Sequence, residues 1–398
     1  MANTTTITSC EVCGHSNLQP LLDLGSQPMC DDLVPLNQDL VAKSYPLRLI
    51  GCPKCITVHQ EVQVEKTLLF PNSYHYRASL TKDVLDGMEE LVSSVNECCG
   101  NVSRKHILDI GCNDGSLLNI FRNRGAFTCG IEPTDAAHDA RPKVDWLHQG
   151  YFDEHAVNKY LESHKKPDII TFTNVFAHIE NLDDLLANVK KLLGDDTKLV
   201  IENHYLGAVI ANTQFDTFYH EHPRTYSYKS FEVIADRLGK KIETVEFPTR
   251  YSGNIRVIIG NSPNSDSPTI DESGFLDAVF NMGKTIESQR KIIHRQLTNL
   301  VQKHGPLPAK AFPGRASILI HSLGIDHHII DATYERPASP KIGHYIPGTK
   351  IEIRNEEEFL ENRIDSPVVI NLAWHIQDEI TRYMKSQGYK GVVQPLWQ

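Results

Sequence analysis

Two pairs of cysteines near the N-terminus constrain the fold of this chain more than any other feature of its sequence. All nine cysteines lie between Cys10 and Cys129, and four of them form two Cys-x-x-Cys pairs, Cys10 with Cys13 and Cys52 with Cys55. Two such pairs supply the four thiolates of a tetrahedral zinc site. Because four thiolates leave no coordination position for water, we expect a structural Zn²⁺. The alternative interpretation is four unrelated reduced thiols.

Composition and charge narrow the class of protein. Of the 398 residues, 40% are hydrophobic and 23% are charged, as in globular proteins of two or three domains. The net charge of −10 opposes a general nucleic-acid-binding surface. The N-terminus has no signal-peptide pattern, and no segment reaches the ~18 consecutive apolar residues of a membrane span. We therefore expect a cytoplasmic protein with neither a nucleic-acid nor a membrane partner.

A glycine-rich turn follows the apolar run at residues 106–110. The turn, Gly111 to Gly115, precedes a segment with helical spacing at residues 116–121. Glycine lets the backbone approach a ligand, and α/β folds bind nucleotides at the carboxyl edge of the sheet. About twenty residues further on, Glu132 ends a second strand-like run, where a carboxylate suits the hydroxyls of a ribose. The two features predict an adenosine-type ligand; the alternative is an α/β domain that binds none.

The turn, written LDIGCNDGSLL, resembles the first motif of the class I S-adenosylmethionine (SAM)-dependent methyltransferases. Strand-like runs at residues 168–173 and 198–201, with an amphipathic helix at 182–193 between them, agree with the order of elements in that class. The resemblance implies SAM as cofactor. The residues it assigns to SAM are Asp109, Gly111, Asn113, Asp114, Glu132 and Asn174.

Proton-transfer side chains are concentrated in the segment Tyr219-His220-Glu221-His222. Imidazole titrates near neutral pH, so histidine is the residue best suited to act as a general base there. Pro223 favours an extended backbone at His222, from which the side chain can project into a cleft. The residues alone fit a polar surface loop equally well.

Over nearly its whole length the chain resembles the nucleotide-sugar C3-methyltransferases of branched deoxysugar pathways. The strings that carry the resemblance are, in order, CEVCG, GSQP, GCPKC, YHYRAS, LDIGCNDG, FDTFYHEH, SGNIR, IPGTKI and AWHIQDEI. The resemblance implies an α/β protein with an N-terminal zinc-binding module, a central class I methyltransferase Rossmann-like domain and a C-terminal second Rossmann-like α/β domain. It also implies a nucleoside-diphosphate-linked 4-keto-6-deoxy sugar as substrate, which loses its C3 proton before the enolate carbon is methylated.

The same resemblance assigns the catalytic residues. The histidine of the family's Tyr-x-Glu-His motif is the base, and His222 stands at that position. Tyr219 would assist or orient the base, and Glu221 would orient a neighbour or contact the sugar. Tyr76 and His178 would line the active site, although Tyr76 also fits an interface residue and His178 a histidine at a helix start.

The chain departs from the family pattern around the base. His220 stands at the acidic position inside the motif, which makes it a rival to His222 as the base. Pro223 and Arg224 replace an aromatic pair, and this change predicts a different exit path for the loop.

Apolar spacing beyond residue 260 predicts one long helix and a second open sheet. The face of the helix is formed by Phe275, Val279, Met282, Ile286, Ile293, Leu297 and Leu300. After a cluster of helix breakers at residues 305–308, apolar runs at 317–320, 328–331 and 368–372 predict short strands whose crevices suit the nucleotide half of a substrate.

The predicted domains are a zinc-binding module at residues 1–70, a methyltransferase domain at 71–260, a connecting helical segment at 261–302 and a C-terminal nucleotide-sugar-binding domain at 303–398. We expect a monomer. Two other functions fit the sequence: a SAM-dependent sugar O-methyltransferase using the same histidine, and a noncatalytic zinc protein that binds nucleotide or SAM.

Overall fold

The computed structural model describes residues 4–70, 76–80, 82–250, 253–262 and 269–397. Of the strings quoted above, Tyr74 and His75 of YHYRAS and Ser252 of SGNIR lie outside the described residues. Contacts divide the chain into two compact units. The first comprises residues 1–20, 49–212 and 221–276, and the second comprises residues 21–48, 213–220 and 277–398.

The strands are mostly short and run in chain order as β1 (Thr4–Thr6), β2 (Gln19–Pro28), β3 (Val34–Pro35), β4 (Ser44–Gly51), β5 (Val58–Gln60), β6 (Val62–Val64), β7 (His106–Ile110), β8 (Phe127–Glu132), β9 (Trp146–Gln149), β10 (Ile169–Thr173), β11 (Lys198–His204), β12 (Arg224–Thr225), β13 (Lys241–Glu246), β14 (Asn254–Gly260), β15 (Leu307–Lys310), β16 (Ile330–Glu335), β17 (His344–Tyr345), β18 (Glu352–Asn355), β19 (Val368–Asn371) and β20 (Val392–Pro395).

The helices are α1 (Lys66–Leu69), α2 (Lys82–Cys99), α3 (Ser116–Asn123), α4 (Ala136–Ala140), α5 (Glu154–Ser163), α6 (Leu182–Leu192), α7 (Leu206–Ala211), α8 (Tyr228–Arg237), α9 (Phe275–His304), α10 (Ala316–Leu323), α11 (Glu356–Asn362) and α12 (Gln377–Ser386). Among the described residues, no helix combines the length and the apolar character needed to cross a bilayer.

The first unit is built on a seven-stranded sheet of order β13-β14-β11-β10-β7-β8-β9. Strands β7 to β11 are parallel, and β14 runs antiparallel to both β11 and β13. The chain progresses outward in one direction from β7 to β9 and in the other from β10 to β11. This reversal creates a crevice at the carboxyl ends of β7 and β10, where open α/β sheets bind ligands.

Helices cover both faces of this sheet, which explains why its strands are apolar without alternation. On β7, Leu108 and Ile110 pack into the core cluster that includes residues of α5, α6 and α8. Ile107, the residue before Leu108, points to the other face and packs into the opposite cluster with residues of α2 and α3. The sheet is thus buried on both sides, and its ligand crevice opens only at the strand ends.

The second unit contains another seven-stranded sheet, of order β20-β19-β15-β16-β18-β17-β3. Its strands are parallel except β17, which runs antiparallel to both of its neighbours, β18 and the edge strand β3. The predicted second open parallel sheet is confirmed. Its edge strand β3 comes from residues 21–48, a segment that falls inside the predicted module at 1–70 but clusters with the second unit.

One predicted strand is wrong. Residues 317–320 lie in helix α10, and the strand before it, β15, occupies the segment assigned to helix breakers. Ser317, Ile318, Leu319 and Ile320 are all buried, so this helix carries no polar face from which a helical period could be recognised. The predicted long helix is confirmed as α9, whose side chains Val279, Met282, Ile286, Ile293 and Leu297 are buried.

Candidate functional site

The four paired cysteines meet in one cluster. Their sulfur atoms all lie within 4.8 Å of one another, with 3.4 Å between those of Cys10 and Cys55 and 3.5 Å between those of Cys13 and Cys52. In a tetrahedral zinc site with Zn–S bonds of ~2.3 Å, the sulfur atoms are ~3.8 Å apart. The chain therefore offers a thiolate set of the right kind and spacing for zinc.

The two Cys-x-x-Cys turns have the same backbone geometry. The N–H of Gly14 donates to the carbonyl of Cys10 at 2.8 Å, and the N–H of Ile56 donates to that of Cys52 at 2.9 Å. Gly14 and Ile56 both adopt a left-handed backbone, with φ of 72° and 55°. This conformation costs a residue such as isoleucine about 1–3 kcal/mol. At Ile56 this strain accompanies the turn that brings the thiols of Cys52 and Cys55 together.

A buried polar chain leads away from the cysteine cluster. His59 Nε2 lies 3.3 Å from Cys10 Sγ, and the other ring nitrogen lies 3.6 Å from the carboxylate of Glu11. Glu11 in turn accepts hydrogen bonds from the buried Arg224 at 2.7 Å and from Gln63 at 2.8 Å. Burial alone would raise the pKa of Glu11, but Arg224 and these hydrogen bonds lower it well below its usual range. Glu11 is therefore ionised at neutral pH.

The glycine turn after β7 is held by left-handed residues and by close packing. Gly111, Asn113 and Gly115 have φ of 69°, 49° and 75°. A Cβ atom at Gly111 would lie 2.6 Å from Cγ2 of Val175, so only glycine fits there. The N–H of Asn113 donates to Glu132 Oε2 at 2.8 Å, which joins the turn to the end of β8.

Two acidic residues flank this crevice. Asp109 on β7 is buried and accepts a hydrogen bond from Thr171 Oγ1 at 2.6 Å. Burial raises the pKa of Asp109 to about 7, with a contribution from the nearby charge of Glu132. Glu132 accepts two bonds from Thr134, from its N–H at 3.0 Å and its hydroxyl at 2.6 Å. Both carboxyl groups are thus fixed at the strand ends before a ligand arrives.

The side chains of Asn113 and Asp114 hold another part of the chain against the turn. Asn113 donates to the carbonyl of Tyr76 at 3.1 Å and accepts from the N–H of Ala78 at 2.9 Å. Asp114 accepts from the N–H groups of Ser79 at 2.9 Å and Ser116 at 3.1 Å. These bonds bring Tyr76, whose side chain is 43% exposed, beside the predicted cofactor turn. Cofactor contacts of Asn113 and Asp114 stay a prediction.

A buried ion network supports the strand ends on the other side of β7. Glu202 on β11 is fully buried and binds Arg250 Nε at 2.6 Å and Arg256 Nε at 2.7 Å. Its carbonyl accepts from the N–H of Asn174 at 2.7 Å, and the amide of Asn254 bridges Glu202 and Asn174. The network therefore holds Asn174, which has a left-handed φ of 53°, at the carboxyl end of β10.

Replacing Glu202 by alanine is expected to lower the free energy of unfolding by about 3–5 kcal/mol, because the buried Arg250 and Arg256 both lose an ion pair, although Arg256 keeps its bond to Glu246. Denaturant unfolding of the two proteins measures the difference. Glu232 pairs with Lys229 on the surface of α8 and serves as the control, since Glu232→Ala should cost less than about 1 kcal/mol. Equal losses in the two variants would contradict the role given to the network.

Three histidines lie together at the same edge of the sheet. The ring centroid of His222 is 4.7 Å from that of His178 and 5.4 Å from that of His204. His178 follows β10 and His204 ends β11, so both lie at the carboxyl ends of adjacent strands, and β10 is itself the neighbour of β7. The side chain of His222 is buried in this group, with the residue 7% exposed.

His178 is fixed in one neutral form. Burial lowers its pKa to about 4, even though the backbone carbonyls of Glu221 and Asn174 act in the opposite direction. Its Nδ1–H donates to the carbonyl of Glu221 at 2.7 Å. The bond anchors the peptide that directly precedes His222, and it brings His178, Glu221 and His222 together. Their catalytic roles stay a prediction.

His220 has different surroundings. It belongs to the second unit, where its Nε2 lies 3.3 Å from the carbonyl of Tyr45 and its ring contacts the Tyr45 ring edge-on. Burial lowers the pKa of His220 to about 4. Tyr219, beside it in the chain, is half-buried. The ring of His220 therefore packs against Tyr45, and the choice between His220 and His222 as the base stays a prediction.

Sequence reasoning left three residues of this region without a role. His204 belongs to a segment rich in proton-transfer groups, but that density alone does not show that it meets His222. Arg224 stands out only as a departure from the family motif. Gln60, whose side chain donates to the carbonyl of His222 at 2.8 Å, has no local signal at all.

The second unit has a polar cluster at the carboxyl edge of its own sheet. Asp216 accepts two bonds from Arg315, at 2.7 and 2.9 Å, and one from Trp374 Nε1 at 2.9 Å. Arg315 precedes α10, and Trp374 follows β19. Ala311, just after β15, has a left-handed φ of 64°, a conformation that alanine adopts at a cost. The edge therefore combines a strained turn, a guanidinium group and an indole ring.

Family models match consecutive parts of the chain. "Putative zinc binding domain" matches residues 10–70, "Methyltransferase domain" matches residues 83–245, and "C-methyltransferase C-terminal domain" matches residues 276–394. The order of these matches confirms the predicted arrangement of a zinc-binding module, a class I methyltransferase core and a C-terminal domain.

Individual proteins also resemble the chain. C-methyltransferase NovU from Streptomyces niveus is 24% identical over 388 residues, which cover 94% of this chain and 91% of that protein. Ubiquinone biosynthesis O-methyltransferase from Glaesserella parasuis serovar 5 is 31% identical over 114 residues, which cover 27% of this chain and 48% of that protein. The solved structure of magnesium protoporphyrin IX methyltransferase (ChlM) from Synechocystis PCC 6803 with bound SAH covers 45% of this chain and 84% of its own, with 15% identity and a TM-score of 0.35.

Proposed function

We propose that this chain, which belongs to the SAM-dependent C-methyltransferases, removes the C3 proton of a nucleoside-diphosphate-linked 4-keto-6-deoxy sugar and methylates the resulting enolate carbon. The observation that carries the proposal is the position of His222. It is buried between His178 and His204, at the sheet edge that also bears the glycine turn after β7. This position supports the role of His222 as the base next to the proposed methyl-donor site.

The proposed binding of SAM rests on the crevice between β7 and β10. SAM, when bound, supplies an electrophilic methyl group. The left-handed turn, the fixed carboxyl groups and the carboxyl end of β10 all fit an adenosine-type ligand in this crevice. The residues that would hold SAM are Asp109, Gly111, Asn113, Asp114, Glu132 and Asn174.

The need for a general base follows from the chemistry of ketones. A proton next to a carbonyl becomes acidic when the resulting enolate is stabilised, so the site needs a base at C3 and hydrogen-bond donors near the C4 oxygen. His222 would take the proton. His178, neutral and bonded to the carbonyl of Glu221, would keep the base in place. The hydroxyl groups of Tyr219 and Tyr76 would donate hydrogen bonds to the C4 oxygen of the sugar. Glu221 would orient a neighbour or contact the sugar.

The nucleotide half of the substrate is proposed to bind the second unit. Its sheet presents Arg315 and Trp374 at the carboxyl edge, which suit a diphosphate and a base ring respectively. Cys10, Cys13, Cys52 and Cys55 would hold a structural Zn²⁺ in the N-terminal module. The relative NovU supports carbon as the methylated atom, since its name describes a C-methyltransferase and it matches 94% of the chain.

The proposal is tested with radiolabelled SAM and a panel of nucleotide-linked sugars. We expect methyl transfer to the 4-keto-6-deoxy sugar and none to the matched 4-hydroxy sugar, because only the ketone acidifies the C3 proton. Equal transfer to both sugars would indicate O-methylation and contradict the enolate route. Tight SAM binding without transfer to any sugar of the panel would favour the noncatalytic alternative.

A further inference from the structure

We propose that Gln60, a residue of the N-terminal metal module, is a positioning residue for His222. The side-chain Nε2 of Gln60 donates to the carbonyl of His222 at 2.8 Å, and its backbone N–H donates to the carbonyl of Pro223 at 2.9 Å. One residue of β5 therefore binds the carbonyls of His222 and Pro223, two consecutive residues of the segment 219–223, which we call the base loop. The inference rests on the proposed function, in which His222 is the base.

Strand pairing continues this contact beyond the loop. β12 directly follows Pro223 and pairs antiparallel with β5, with Arg224 opposite His59. The base loop thus enters and leaves along a strand of the metal module. Pro223 and Arg224, the two residues that depart from the family pattern, therefore lie where the loop meets β5.

Side chains tie the same strand pair to the cysteine cluster. Arg224 is buried and donates to Glu11 at 2.7 Å, to the hydroxyl of Tyr226 at 2.8 Å and to the carbonyl of Ile179, the residue after His178. Glu11 lies between two zinc-ligand positions, Cys10 and Cys13. The metal module is therefore connected both to the residue that follows His178 and to the loop that carries His222.

The physical consequence is a fixed direction for the imidazole of His222. Pro223 restricts the backbone of its predecessor, and bonds to both carbonyls remove the remaining freedom of the peptide planes. His178 anchors the other side through the carbonyl of Glu221. Because general-base catalysis depends on a short path to the proton, displacing the base by ~1 Å can cost about 100-fold in rate.

The test replaces Gln60 by methionine, which has a similar shape and no donor, and in a second variant by glutamate. In the zinc-loaded protein we expect kcat for methyl transfer to fall about 10- to 100-fold, with KM for the sugar and Kd for SAM changed less than about threefold. The backbone bond to Pro223 survives in both variants, so the fold should be kept. The melting temperature should fall by a few degrees in Gln60→Met, because the buried carbonyl of His222 loses its donor, and further in Gln60→Glu, which buries a carboxylate.

Gln63 provides the matched control, because its amide donates to Glu11 and it lies in the same module three residues along the chain from Gln60. Gln63→Met should keep kcat within about threefold of the wild type. A wild-type kcat in Gln60→Met, or equal losses in the Gln60 and Gln63 variants, would overturn the inference.

Amide hydrogen exchange gives a readout that needs no substrate. In Gln60→Met, the amides of residues 221, 222 and 224–226 should exchange faster than in Gln63→Met, and removal of the metal from the wild type should accelerate the same amides. Unchanged exchange in both cases would refute positioning by the module. If the wild-type chain methylates no sugar, the proposed function fails, and the hydrogen exchange alone decides the inference about Gln60.

Discussion

Replacing His222 by glutamine is expected to lower the rate of methyl transfer to the 4-keto sugar by about 10²- to 10⁴-fold, the usual contribution of a positioned general base. Glutamine keeps the polarity of the side chain but cannot accept the C3 proton at neutral pH. Solvent deuterium exchange at C3 should fall with it, because the same proton is removed in both measurements. SAM binding, measured by calorimetry, should be retained.

His220→Gln is the matched control for this prediction. His220 is a buried histidine two positions earlier, whose partner is the carbonyl of Tyr45. We expect its loss to change the rate by less than about tenfold, through packing alone. Loss of C3 exchange in His220→Gln, with exchange retained in His222→Gln, would identify His220 as the base and contradict our assignment.

The second large effect concerns the cysteine cluster. Cys52→Ser should release the single zinc ion per chain that we expect in the wild type and lower the stability of the N-terminal module by several kcal/mol. The reason is that a four-thiolate site contributes its metal-binding energy directly to folding. Metal analysis and thermal unfolding measure the two quantities.

Cys98→Ser is the control for the metal prediction, because Cys98 is exposed and lies outside the cluster. This variant should keep its metal and its melting temperature. A wild-type chain that contains no stoichiometric metal, and whose melting temperature is unchanged by a chelator, would refute a structural zinc site.

The sheet of the first unit was largely predictable because each of its central strands is marked by its own short apolar run. Apolar runs at 106–110 and 168–173 correspond to β7 and β10, since strands covered on both faces carry apolar residues without alternation. The same rule misled the prediction at residues 317–320. A helix buried on all sides also carries a continuous apolar run, so α10 and a buried strand look alike in the sequence.

The candidate site was predictable to the extent that its residues form motifs. The cysteine pairs, the glycine turn and His222 each carry a short pattern with a chemical reason. The contact between Gln60 and His222 joins residues 162 positions apart, and neither residue type nor spacing indicates it. The same holds for the pairing of Glu202 with Arg250 and Arg256, because burial of these charges follows only from the folded arrangement.

The central claim is that the methyl group is transferred to a carbon atom made nucleophilic by the neighbouring ketone. The most direct measurement uses SAM with a ¹³C-labelled methyl group and a nucleotide-linked 4-keto-6-deoxy sugar labelled with ¹³C at C3, with the product examined by one-bond carbon–carbon coupling in NMR. Our account predicts one labelled methyl group bonded to C3, together with deuterium at C3 when the sugar and enzyme are mixed in D₂O without SAM. A labelled methyl group bonded to oxygen, with no deuterium at C3, would contradict it.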